Sequence, residues 1–252
     1  MINPQTKTKL EQLKLQSFID VFNEIINNNS QSLSLDEALT MMVDREIITR
    51  DNRRLTRLLK AAKLRYPSAC IAHIDYQQPR QFEQERLRQL THCQWIAQQR
   101  NCILTGPAGI GKSYIACALG HQACQLSFSV RYYRVPRLVE ILRMSHADGS
   151  YSRTLERLAK IQCLILDDWG IDQLDRQGRR DLLEVLEDRY AKTATIITTQ
   201  LPIDRWHQFI GDDTIADAIC DRIINNAFTI TMSGESMRKV KNLTHVEHPG
   251  IS

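Results

Sequence analysis

The segment Gly106-Pro107-Ala108-Gly109-Ile110-Gly111-Lys112-Ser113 matches the phosphate-binding pattern G-x-x-x-x-G-K-[ST] at every position. A short apolar strand is predicted directly before it, at residues 101–105, and a helix directly after it, from Tyr114. Glycines let the backbone curl so that successive N–H groups point at phosphate oxygens, and the helix N-terminus adds partial positive charge. This order of strand, loop and helix predicts a nucleoside triphosphate site. Lys112 would reach the β- and γ-phosphates, and Ser113 would hold Mg²⁺.

A second apolar run, Cys163-Leu164-Ile165-Leu166, ends in Asp167 and Asp168. A carboxylate at a strand end can bind Mg²⁺ through water, as enzymes with this loop require. We therefore predict that Asp167 holds the metal and that Asp168 orients and deprotonates the attacking water. The predicted nucleotide contacts form one continuous stretch: Gly106, Pro107, Ala108, Gly109, Ile110, Gly111, Lys112, Ser113 and Tyr114.

Strands alternate with helices through the second part of the chain. This alternation, with apolar strands, predicts an α/β fold with a parallel five-stranded sheet that is covered on both faces. Ligands of such sheets lie at the carboxyl ends of the strands, so Thr199 is predicted near the γ-phosphate, beside Asp167. The 21 residues after Thr231 predict that a helical lid is largely missing. The strands are predicted at residues 101–105, 128–133, 163–168, 194–200 and 227–231.

The sequence predicts three regions: an N-terminal helical domain at residues 1–66, a linker at 67–81 and a nucleotide-binding domain at 82–252. Within the first region, Ser34 and Glu37 have the spacing of a capping box, and a further helix with basic residues is predicted after it. The third region is predicted to begin with one helix that runs to about Gln99.

Positive charge is concentrated in one part of the chain. The formal net charge is only +4, whereas residues 45–65 hold eight Lys or Arg against Glu46 and Asp51. This basic surface is either the solvated face of an amphipathic helix or a contact for DNA or a partner protein. The candidate DNA contacts are Arg50, Arg53, Arg54, Arg57, Arg137, Arg153, Arg157 and Lys160.

The seven cysteines are widely spaced and include no C-x-x-C pair, so we interpret them as reduced, buried residues rather than disulfides or metal ligands. The N-terminal residues lack an apolar signal region, and no apolar run approaches the ~18 residues that a membrane span needs. We expect a cytoplasmic protein without a membrane partner.

Several motifs in a fixed order resemble those of the IstB family of AAA+ helper ATPases, which insertion sequences encode beside their transposase. That family is similar to the helicase loader DnaC and the initiator DnaA. The resemblance covers about residues 7 to 242 and rests on the phosphate-binding loop together with four later stretches. These are residues 164–170 (LILDDWG), 198–202 (TTQLP), 218–223 (AICDRI) and 234–238 (GESMR).

The resemblance implies roles for individual residues. Arg222 matches the arginine that acts on the nucleotide of a neighbouring subunit, Thr199 matches the first sensor and Arg238 the second sensor. Asp168 stands where most AAA+ ATPases carry glutamate. The helices predicted between Arg137 and Lys160 match the insertion that, in the initiator and loader branch, helps to form filaments and faces DNA.

The first interpretation is therefore an Mg²⁺-dependent ATPase that forms a homo-oligomer on duplex DNA with little sequence preference and recruits or activates a transposase. ATP hydrolysis would reset the complex. A helicase loader is the second interpretation, and it predicts a stable helicase complex and a preference for single strands. A small-molecule kinase is the third, but it would need an acceptor site and a closing lid.

Overall fold

The fold is described from a computed structural model, and the described residues are 2–27, 33–74, 80–81 and 83–237. The chain divides into two compact units, Met1–Arg57 and Leu58–Ser252. The division falls inside a helix, before the domain boundary predicted at residue 66, and the predicted boundaries stay predictions.

The first unit and the start of the second contain three helices, and the second unit alternates strands with helices. The elements are α1 (Pro4–Gln12), α2 (Gln16–Asn27), α3 (Leu35–Ala62), β1 (Arg80–Gln81), α4 (Gln84–Thr91), α5 (Gln94–Ala97), β2 (Asn101–Thr105), α6 (Lys112–Gln125), β3 (Val130–Arg134), α7 (Val135–Ala147), α8 (Tyr151–Ala159), β4 (Cys163–Trp169), α9 (Arg176–Arg189), β5 (Ala194–Thr199), α10 (Trp206–Ile210), α11 (Asp213–Ile224), β6 (Ala227–Thr231) and β7 (Ser233–Gly234).

The long helix α3 begins at the predicted capping box. The Ser34 N–H donates to Glu37 Oε2 at 2.7 Å, and the Glu37 N–H donates to Ser34 Oγ at 3.2 Å, so the capping box is confirmed. The prediction of two successive helices here was wrong, because α3 continues without a break to Ala62. No Gly or Pro interrupts this stretch, and the ion pair between Glu46 and Arg50, at 2.7 Å and i,i+4 spacing, stabilises its middle.

The five-stranded parallel sheet is confirmed, with strand order β3-β4-β5-β2-β6. All its neighbouring strands pair in parallel. The phosphate-binding loop follows β2, which lies between β5 and β6. The carboxyl ends of β4 and β5 therefore lie at the same edge of the sheet as the loop.

Successive residues of β4 face opposite sides of the sheet. Leu164 and Leu166 belong to the main core cluster, which α7, α9, α10 and α11 also line. Ile165 faces the other side, where a Cβ placed on Gly120 of α6 would lie 2.8 Å from Ile165 Cδ1. Because both faces are covered, the three central strands β4, β5 and β2 consist almost entirely of buried residues.

The single helix predicted from residue 82 to 99 was wrong, because the structure has two short helices, α4 and α5. Cys93 separates them in a left-handed conformation, with φ of 54°. Its side chain is fully buried. The Trp95 indole N–H donates to the Leu90 carbonyl at 3.0 Å across the break.

All seven cysteines are free thiols, and five of them are buried. Burial raises the pKa of Cys102 to about 12, and the pKa of Cys124 to about 11. Burial and the nearby Cys124 raise the pKa of Cys93 to about 12. These thiols are therefore protonated at neutral pH. Within the residues that the structure describes, no helix is long and apolar enough to cross a membrane.

Candidate nucleotide-binding site

The phosphate-binding loop connects β2 to α6, and two of its glycines are required by close packing as well as by backbone angle. Gly106 has φ of 150°, and a Cβ there would lie 2.2 Å from the Met232 carbonyl oxygen. Gly109 has φ of 78°, and a Cβ there would lie 2.1 Å from Ser236 Oγ. The Met237 N–H also donates to the Gly109 carbonyl at 3.0 Å. The segment after β6 therefore packs directly on the loop.

Lys112, the first residue of α6, is buried within the loop. Its ammonium donates to the carbonyl oxygens of Gly106 and Pro107, each at 2.7 Å. Burial lowers the pKa of Lys112, and the nearby carboxylates of Asp167 and Asp168 counteract part of that shift. A desolvated cation inside a curled loop is well suited to bind phosphate oxygens.

Asp167 is fully buried beside the first turn of α6. Ser113 Oγ donates to Asp167 Oδ1 at 2.8 Å, and the Thr198 hydroxyl also donates to Oδ1. The Tyr132 hydroxyl donates to Oδ2. Burial and this hydrogen bond raise the pKa of Tyr132 far above its usual value, so its hydroxyl stays protonated.

The donor set around Asp167 fits Mg²⁺. Ser113 and Asp167 present a hydroxyl and a carboxylate oxygen within 2.8 Å of each other. Mg²⁺ prefers hard oxygen ligands and in nucleotide sites takes few from the protein, since phosphates and water supply the rest. Ser113 and Asp167 could therefore hold the ion.

Asp168 lies on a β-bulge. The pairing of β4 with β5 shifts between Leu166 and Trp169, so Asp167 and Asp168 together face Thr198. The Asp168 backbone has a left-handed conformation, with φ of 62°, and its N–H donates to Thr198 Oγ1 at 3.2 Å. In a regular strand the two side chains would point to opposite faces, whereas the bulge turns both carboxylates toward one place.

Two arginines neutralise the acidic pair. Arg65 Nη1 lies 3.4 Å from Asp167 Oδ2 and 3.9 Å from Asp168 Oδ2, and Arg134 Nε lies 2.6 Å from Asp168 Oδ2. Neither arginine was given a role at this site from the sequence, nor was Tyr132 or Thr198. Arg134 could have been found, because it ends β3 at the same sheet edge and pairs in register with Asp167. No local pattern indicates Arg65.

Thr199 does not share the environment of Thr198. Its hydroxyl lies 2.9 Å from the Trp169 carbonyl oxygen and accepts the Leu201 N–H at 2.9 Å. Thr198 instead contacts both Asp167 and the Asp168 backbone. The structure thus brings Thr198 to the acidic pair, and a role for Thr199 near the γ-phosphate stays a prediction.

Arg222 lies at the opposite end of the sheet from the phosphate-binding loop. Its backbone carbonyl accepts the Asn101 side-chain N–H at 3.1 Å, and Asn101 begins β2. Its guanidinium pairs with Glu187 of α9 and donates to the Ala218 carbonyl at 2.8 Å. Arg238, the other predicted arginine, lies outside the described residues. Its roles and those of Arg222 stay predictions.

The candidate DNA contacts have exposed side chains on α3, α7 and α8 and directly after α8. Some have neighbouring carboxylates: Arg50 pairs with Glu46, Arg137 with Glu140, and Lys160 with Glu156 at 3.8 Å. The pairs of Arg137 and Lys160 are exposed on both sides, so they are weak and can be exchanged for phosphate contacts, whereas Glu46 is buried. Binding of DNA by these residues stays a prediction.

Comparison with protein families gives a match to the model described as IstB-like ATP binding protein, over residues 8–244. The chain belongs to this family. A relative in Sinorhizobium fredii, the insertion sequence ATP-binding protein y4pL, is 44% identical over 95% of this chain and 98% of its own length. The ATP-binding protein of insertion sequence IS1162 in Pseudomonas fluorescens is 47% identical over 80% of this chain and 88% of its own length.

Solved structures confirm the AAA+ fold of this IstB-like protein. A DnaI structure has a TM-score of 0.58 at 19% identity and covers 71% of this chain and 94% of its own. An AMPPCP-bound DnaA from Aquifex aeolicus has a TM-score of 0.54 at 13% identity and covers 72% of this chain and 56% of its own. At these identities the likeness shows the fold alone. Binding of ATP follows from the family.

Proposed function

We propose that this protein is an Mg²⁺-dependent ATPase that helps transposition. It forms a homo-oligomer on duplex target DNA, remodels that DNA and recruits or activates the cognate transposase. ATP hydrolysis to ADP and phosphate resets the complex. The observation that carries this proposal is the Ser113–Asp167 hydrogen bond of 2.8 Å, which joins the phosphate-binding loop to the acidic pair, in a chain related to insertion sequence proteins.

The chemistry is divided among the residues of the site. Lys112 and the loop N–H groups bind the phosphates, while Ser113 and Asp167 hold the metal. When bound, Mg²⁺ neutralises charge that develops on the phosphate oxygens. Asp168 orients the attacking water and accepts its proton. The bulge compensates for part of the shorter reach of aspartate, because it turns Asp168 toward the same side as Asp167.

Arg222 acts on the nucleotide of the neighbouring subunit. Its distance from its own loop supports this role, since it lies at the amino end of β2 and the loop lies at the carboxyl end. Glu187 holds its guanidinium at the surface of α11 until a neighbour binds. An arginine of this kind is worth ~10³ to 10⁵ in rate in related phosphoryl transfer.

DNA binding rests on the exposed arginines of α3 and of the α7–α8 pair. Contacts between Lys or Arg and phosphates release counterions, so affinity falls steeply with salt and depends little on sequence. The relatives are insertion sequence proteins, and this favours a transposition helper over the alternative of a helicase loader. The likeness to DnaI concerns the fold alone.

The test measures the mass distribution of the protein on a duplex of defined length, with and without ATP and Mg²⁺, together with ATP turnover. We expect large complexes that need both ATP and duplex. Arg222→Ala should still bind ATP but lose ~10³-fold or more in turnover. Arg88→Ala, which removes an exposed arginine paired with Glu85 in the same unit, is the control and should leave turnover unchanged.

The same duplex at several salt concentrations tests the DNA surface. Replacement of Arg53, Arg54 and Arg57 by Ala should reduce the slope of log affinity against log salt by about 3. A wild type that stays monomeric on duplex with ATP would contradict the oligomer. A single-strand preference with a stable helicase complex would favour the loader instead.

A further inference from the structure

A guanidinium from outside the phosphate-binding loop lies against both acidic side chains of the site. Arg65 Nη1 is 3.4 Å from Asp167 Oδ2 and 3.9 Å from Asp168 Oδ2. Asp167 is fully buried, whereas the Arg65 side chain is 36% exposed. One long side chain with access to solvent thus touches both carboxylates.

The acidic pair needs a cation when no metal is bound. Two neighbouring carboxylates repel each other, and a buried one has lost its hydration. The Lys112 ammonium is engaged with the carbonyls of Gly106 and Pro107, and Arg134 pairs with Asp168. Among the described residues, Arg65 is the cation that forms an ion pair with Asp167.

The Arg65 guanidinium and a metal ion would repel each other if both lay beside the Asp167 carboxylate. Ser113 and Arg65 approach the same Asp167 carboxylate, Ser113 at Oδ1 and Arg65 at Oδ2. A divalent ion held by Ser113 and Asp167 would therefore lie near the guanidinium and repel it. The two cations are alternatives at one carboxylate.

The backbone around Arg65 is anchored, so its side chain can move alone. At the end of α3 the Ala61 carbonyl accepts Arg131 Nη1–H at 2.8 Å, and Leu64 is buried. The Tyr66 ring lies 6.0 Å from the ring of Tyr114, which follows Ser113. Release of Asp167 needs rotation of the partly exposed Arg65 side chain, whose guanidinium also lies 5.6 Å from the centroid of the Tyr66 ring.

We propose that Arg65 is a positioning residue that takes the place of the metal charge beside Asp167 and Asp168 when nucleotide is absent, and that it is displaced when metal and nucleotide bind. This proposal rests on the magnesium site of the proposed function. Arg65 keeps the two carboxylates in place for the metal, and it also raises the metal concentration that the site requires.

The test measures Mn²⁺ binding to the full chain by electron paramagnetic resonance, at a saturating concentration of a non-hydrolysable ATP analogue. Arg65→Ala should lower the half-saturating Mn²⁺ concentration about threefold to tenfold, because a competing charge is removed. Arg65→Lys keeps the charge and should shift it less. Arg88→Ala removes a positive charge elsewhere in the same unit and should not shift it.

A second readout is binding of the same analogue in EDTA, which should be equal for the wild type and Arg65→Ala. Weaker binding in EDTA would make Arg65 a direct nucleotide ligand and would overturn the proposal. So would an unchanged Mn²⁺ requirement in a variant that melts like the wild type. A wild type without nucleotide-dependent Mn²⁺ binding would instead overturn the metal site of the proposed function, and this proposal with it.

Discussion

The two ends of the parallel sheet both hold buried cationic side chains, but these have different partners. At the amino end, Arg189 is almost fully buried and donates to the carbonyl oxygens of Leu158, Ile161 and Ala194 and to Thr195 Oγ1. At the carboxyl end, Lys112 lies in a glycine loop next to two carboxylates.

These different partners indicate that the Arg189 charge stabilises the fold, whereas the Lys112 charge serves ligand binding. Arg189 ties the end of α8, the approach to β4 and the start of β5 together, and backbone carbonyls satisfy its donors. The Lys112 ammonium donates to two carbonyl oxygens of the loop, and phosphate oxygens could replace these two acceptors. Loss of the first should therefore cost stability, and loss of the second should cost ligand binding.

The largest effect is expected for Arg189→Ala. The variant leaves several buried carbonyls without a donor, so the free energy of unfolding should fall by about 3 to 4 kcal/mol. Urea denaturation measures this change. Arg88→Ala, which removes an exposed arginine on α4, should stay within about 0.5 kcal/mol of the wild type. A similar loss in both variants would contradict a structural role that is particular to the amino end.

A smaller effect, of another kind, is expected for Lys112→Ala. Affinity for ATP should fall about 10- to 100-fold, since one or two charge-assisted hydrogen bonds to phosphate are lost. Equilibrium binding of a fluorescent ATP analogue measures it. Lys192→Ala, which removes an exposed lysine at the amino end, is the control and should bind as the wild type does. If Lys112→Ala lowered stability but not affinity, the two ends would not differ in the proposed way.

The smallest effect is the expected difference in stability between Gly109→Ala and Gly149→Ala, which tests the packing of the loop. A Cβ at Gly109 meets Ser236 Oγ at 2.1 Å, whereas a Cβ at Gly149, with similar φ, meets nothing within 4 Å. Gly149→Ala should therefore cost about 1 kcal/mol from backbone strain, and Gly109→Ala about 1 kcal/mol more. Equal losses in urea denaturation would mean that residues 232–237 do not pack on the loop in solution.

Much of the fold could be predicted from the sequence, because apolar strands and a phosphate-binding loop leave strong local patterns. All five strands of the parallel sheet and the capping box of α3 follow from such patterns. The break at Cys93 could not, since a left-handed non-glycine residue has no local signal. The phosphate-binding loop and acidic pair were found by pattern, while the side chains that hold the acidic pair were found by structure.

Arg65, Tyr132 and Thr198 show why. Tyr132 and Thr198 reach Asp167 from the two strands that flank β4, so strand order and register bring them there, whereas Arg65 reaches it from the segment after α3. The register of the strands also explains why Thr198, and not Thr199, contacts Asp167. A two-against-one bulge at Asp167 and Asp168 sets which threonine faces the carboxylates, and no residue pattern in β4 or β5 indicates that bulge.

The reactivity of the buried thiols can report how often the core of the protein opens. Cys102 is fully enclosed, and its pKa of about 12 keeps the thiolate fraction negligible in neutral buffer. An alkylating reagent can therefore modify this sulfur only after β2 separates from its neighbours. Cys70 and Cys220 lie nearer the surface and need no such separation. The rate at which the slow thiols become labelled would thus report how often the sheet that carries the phosphate-binding loop comes apart.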